Sequence, residues 1–125
     1  MRLSEAIRLG AMLRPQGKGD LFGANGTSCA LGAAMEAIGL RPIEGAMDLD
    51  CSSDEFEEMY HQWPILLDEP DSPIEHPYGK KLAETIPVLN DAGWTRERIA
   101  DWVATVEDAQ EAQDQKEIAL ALVKG

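Results

Sequence analysis

The spacing Asp48-x-Asp50-x-Ser52-x-Asp54 sets side-chain oxygens at alternate positions, as in loops that wrap a hard cation such as calcium. Asp48, Asp50 and Asp54 are the candidate metal ligands. The full loop pattern fails twice. The sixth position, where glycine makes the sharp turn, is Ser53, and the twelfth, where a glutamate binds through both oxygens, is Met59. The run therefore reads as a solvated acidic turn leading into a capped helix, and no metal is expected. The two cysteines offer a second chemistry. Cys29 and Cys51 each fall at the start of an expected helix, where backbone N–H groups favour a thiolate. Cys29 is the candidate nucleophile. A thiolate enzyme also needs a base. His61 and His76 are the two histidines, and no motif sets either beside a cysteine. As zinc ligands, Cys29, Cys51, His61 and His76 are separated by 22, 10 and 15 positions, which matches no zinc module. Cys29 lies in the most apolar segment and reads first as a buried thiol. The Gly-rich stretch at Gly17, Gly19, Gly23 and Gly26 has no Gly-Lys-Ser/Thr ending and no preceding strand, so it is not a phosphate loop. No cofactor is expected.

The elements that must position these residues all read as helices. Ser4 is the expected N-cap of a first helix that reaches about Leu13 and is ended by Pro15. Leu21 and Phe22 anchor the Gly-rich connection that follows. Thr27 or Ser28 caps a second helix through Ile38, with Gly39 as a left-handed stop. This helix, 28–38, is apolar on nearly every side, so it should be buried on every side and central. A third helix starts at Ser52, where Ser52-x-x-Glu55 has capping-box spacing, and buries Phe56, Met59, Tyr60 and Trp63. Four prolines make 64–78 a long irregular loop. A fourth helix begins near Gly79, and Pro87 must kink or restart it. Thr95 caps a fifth, with Ile99, Trp102, Val103 and Val106 on one face and Trp94 folding back as a staple. At helical spacing, Trp63 and Trp102 read as core rather than as a ligand pocket. Residues 107–125 have helical composition and form a helical extension. Their Ile118, Leu120, Leu122 and Val123 need a partner, either the domain core or another copy of the chain. With no repeats and no alternating strand pattern, the expectation is a single all-α domain over 1–125. It is a compact bundle of five or six helices around the helix at 28–38.

Charge is distributed unevenly. The net charge of −12 divides into +2 over residues 1–41, −11 over 42–79 and −3 over 80–125. The middle stretch holds eleven acids and no lysine or arginine. A sequence pI near 4.4 argues against a reader of phosphate backbones and against anionic membrane surfaces. No run approaches 18 consecutive apolar residues, the start has no signal-peptide stretch, and two cysteines demand no oxidising compartment. The expected setting is cytoplasmic, with no nucleic acid and no membrane as partner.

Three segments carry a resemblance: Ser4-Glu5-Ala6-Ile7-Arg8-Leu9-Gly10, Cys29-Ala30-Leu31-Gly32-Ala33-Ala34, and the run from Leu89 to Val103. In these blocks the chain resembles small bacterial and phage-borne hypothetical proteins of unassigned function. The resemblance implies a bacterial cytoplasmic protein and brings no activity or site residue with it. The first functional expectation is a non-enzymatic acidic module for protein–protein interaction or regulation, dimeric through its C-terminal helix. The alternatives are a small-molecule-binding or thiol-dependent enzyme using Cys29, and a nucleic-acid mimic built on the acids of 44–75.

Overall fold

A computed structural model of the chain describes residues 1–19, 21–23, 26–40 and 53–124, with the side chains of 53–56 and 124 outside that description. The elements are α1 (Leu3–Ala11), α2 (Ala30–Ala37), α3 (Ser53–Gln62), a 3-10 turn (Pro64–Leu67), α4 (Leu82–Asp91) and α5 (Arg96–Lys124). The fold is an all-α bundle, and the described residues hold no strand beyond isolated bridges at Gln16–Ser28 and Phe22–Ser28.

The core is made by Leu3, Ala6 and Ile7 of α1, by Ala30 to Met35 of α2, and by Met59, Trp63 and Leu66. Leu82, Ile86 and Leu89 of α4 and Ile99, Ala100 and Val103 of α5 complete it. As its apolar composition demands, α2 is buried from Ala30 through Glu36. Two glycines let backbones touch. A Cβ at Gly10 would strike the carbonyl of Ala33, and one at Gly32 would strike that of Leu21. Larger residues there would separate α1 from α2 and the Gly-rich connection from α2.

Several helix ends differ from the sequence reading. Ser4 is not the cap of α1. Arg2 is the N-cap residue, Ser4 is buried inside the first turn, and Met12 closes the helix. The cap of α2 is Cys29 rather than Thr27 or Ser28, and its Sγ accepts a hydrogen bond from Gly32 N–H at 3.4 Å. Gly39 has φ +85°, as its stop role requires. Ser52 and the Ser52–Glu55 capping box lie outside the described residues or side chains. The irregular loop is shorter than 64–78, because Pro64 opens a 3-10 turn that buries Leu66. Pro at the first position of such a turn removes a donor that has no partner there anyway. α4 runs through Pro87 without restarting, and Glu84 reaches back to Lys81 N–H. Thr95 caps α5 through a bond from Arg98 N–H, as expected. The helical extension continues α5, which runs unbroken for 29 residues to Lys124.

Candidate functional site

The polar chemistry of the core is concentrated where α5 lies along α1. Glu107 is 7% exposed, and its carboxylate accepts from Leu3 N–H at 2.9 Å and Ser4 N–H at 3.2 Å. At the other end of α1, Arg96 is 6% exposed and donates to the carbonyls of Ala11 (3.2 Å) and Arg14 (2.7 Å) and to Ser28 Oγ (3.0 Å). An anion thus meets the N-terminus of α1 and a cation its C-terminus. Both signs favour the helix dipole, and both side chains satisfy backbone groups that the helix leaves open. Leu3 to Arg14 and Arg96 to Glu107 are equal spans of eleven residues, which fixes α1 antiparallel to α5. Arg8–Asp101 (2.6 Å) and Arg2–Asp108 (2.7 Å) hold the same register on the wet side. Arg2 also lies 3.8 Å from Glu111. Burial lowers the pKa of the Arg96 guanidinium, which stays charged on its carbonyl partners.

The second polar centre is Asn90, fully buried at the end of α4. Its Nδ2 donates to Gly17 O at 2.7 Å, and its Oδ1 accepts from Ala30 N–H and Gln16 Nε2. Asp91 accepts from Gly19 N–H at 2.8 Å. The Gly-rich connection is therefore fastened to the α4–α5 corner, and its backbone donors are used internally rather than offered to a phosphate.

The candidate catalytic residue, Cys29, is enclosed in this network at 3% exposure. Burial pushes its thiol pKa up, outweighing the backbone hydrogen bonds from Gly32 and Leu31 that oppose it. That is the reverse of the activation that a thiolate nucleophile needs. Neither histidine stands beside it. His61 is exposed and lines a shallow depression with Glu57 and Tyr60. His76 is half-buried in the proline-rich loop, with its Nε2 3.4 Å from the hydroxyl of buried Thr85. The depressions that hold His61 and His76 include neither Cys29 nor a tryptophan. Cys51 and the candidate ligands Asp48 and Asp50 lie outside the described residues, as does the side chain of Asp54. Among the described residues no group of His, Cys, Asp and Glu is arranged to hold a metal. Trp63 is core and donates its indole N–H to Met1 O at 3.1 Å. Trp102 packs against the core, and Trp94 lies under Arg98 at 3.8 Å on the first turn of α5.

Two broad surface grooves border the proline-rich loop. One, of about 850 Å³, is walled by Glu69 to Lys80, with Glu69, Asp71, Glu75 and His76 facing it. The other, of about 580 Å³, lies between Asp68–Asp71 and Thr105–Gln110 of α5. Neither brings a nucleophile to a base.

Among the described residues, the second half of α5 stands out from the bundle. Every residue from Asp108 to Val123 is exposed. Asp108 and Glu111 still hold Arg2, so the free projection starts after Glu111 and extends roughly 18 Å to Val123 at 1.5 Å per residue. Its tip presents Ile118 (61% exposed), Leu120 (59%), Leu122 (76%) and Val123 (84%). Gln110–Asp114 and Gln113–Glu117 hydrogen bonds brace its wet surface. The described core does not cover the apolar side chains of this tip. Sequence reasoning found the tip residues but missed Glu107, Arg96 and Asn90. Only an isolated charge or amide amid apolar helical spacing could have signalled those three. No helix among the described residues is long and apolar enough to cross a membrane. No protein-family model, curated protein or solved structure matches the chain.

Proposed function

We propose that this protein is a non-enzymatic acidic interaction module that self-associates through the second half of α5. The observation that carries the reading is the exposed helical projection after Glu111, ending in four large apolar side chains that are 59–84% exposed. Exposed aliphatic side chains such as those on its tip gain on the order of 1.5–3 kcal/mol each when fully buried. That gain favours a tail completed by association. The burial of Cys29, its raised thiol pKa and the absence of either histidine among the groups that act on the thiol count against the thiol-enzyme alternative. The charge of −12 favours a protein partner over a nucleic acid or an anionic membrane. The reading takes a cytoplasmic setting.

The test is the molar mass in solution of the full chain and of an Ile118→Asp/Leu122→Asp variant, by light scattering across 1–100 µM. The reading expects a dimer for the native chain and a monomer for the variant. A truncation used for the same purpose has to begin after Glu111, since removing Glu107 would uncap α1. A native chain that is monomeric throughout the range sinks the proposal.

A further inference from the structure

We draw no further inference here: the strongest candidate, the groove along the proline-rich loop walled by Glu69, Asp71, Glu75 and His76, rests on a cluster of carboxylates beside a half-buried histidine, and nothing among the described residues shows what it takes.

Discussion

Glu107 and Arg96 show how two ionisable residues inside an apolar bundle can be structural. Each is held by backbone groups at opposite ends of α1, where desolvation of the charge is offset by donors or carbonyls that would otherwise be buried without partners. Glu107→Ala leaves two enclosed N–H groups unpaired and is expected to cost about 2–3 kcal/mol, read as a lower urea midpoint at unchanged slope. Glu107→Gln retains one acceptor oxygen and should cost less. A shift within 0.5 kcal/mol of zero for the alanine variant would remove the capping role. Cys29 gives a pH prediction. Its folded-state thiol pKa is raised by burial, so once the unfolded thiol ionises, at about pH 8.5, the unfolded chain binds fewer protons than the folded one. That contribution to stability is intact below this pH and falls as pH rises through the interval up to the folded pKa. Correspondingly, iodoacetamide at pH 8 should leave the Cys29 peptide unlabelled in the native chain and label it in urea, as mapped by mass spectrometry. Rapid native labelling contradicts the burial.

At the scale of elements, α1 is short, and it is a well-formed helix because α5 caps it at both ends and α2 meets it backbone to backbone at Gly10. The corner after α4 works similarly: Asn90 ties the Gly-rich connection, α2 and the α4 terminus together. Asn90→Ala should therefore cost about 2–4 kcal/mol, with the amides of Gly19 and Ala30 losing hydrogen-exchange protection ahead of the rest. Uniform protection loss would assign Asn90 a global rather than a joining role. Periodicity made the helices legible, because Ile99-Trp102-Val103-Val106 and the all-apolar 30–37 have one helical reading each. The caps were less legible. Ser4 has the side chain of an N-cap, yet a carboxylate 103 residues away takes its N–H, which no local rule anticipates. Cys29 displaced Thr27 and Ser28 because Ser28 is drawn into bridges with Gln16 and Phe22 and accepts from Arg96. Pro64 marked the end of α3 correctly but also begins a 3-10 turn, and its ring suits both roles.

For the whole molecule, the acidity that dominates the sequence and the helix that dominates the shape are separate features. The −11 stretch is centred on residues around α3 and the proline-rich loop, whereas most of the exposed large apolar side chains among the described residues are on the tail and around the end of α1. The described arginines of the N-terminal third meet acids of α2 and α5, as in Arg14–Glu36, Arg8–Asp101 and Arg2–Glu107. The net negative charge keeps copies apart at long range, so association through the apolar tail should strengthen as salt screens that repulsion. A dimer affinity that rises from low to physiological ionic strength is the expected result, and a monotonic fall from low salt would point to charge pairing instead. The central claim is that the tail of α5 exists to associate. Sedimentation equilibrium of the full chain beside Ile118→Asp/Leu122→Asp tests it most directly: the account predicts a native dimer and a folded monomeric variant, and a native chain that remains monomeric at 100 µM contradicts it.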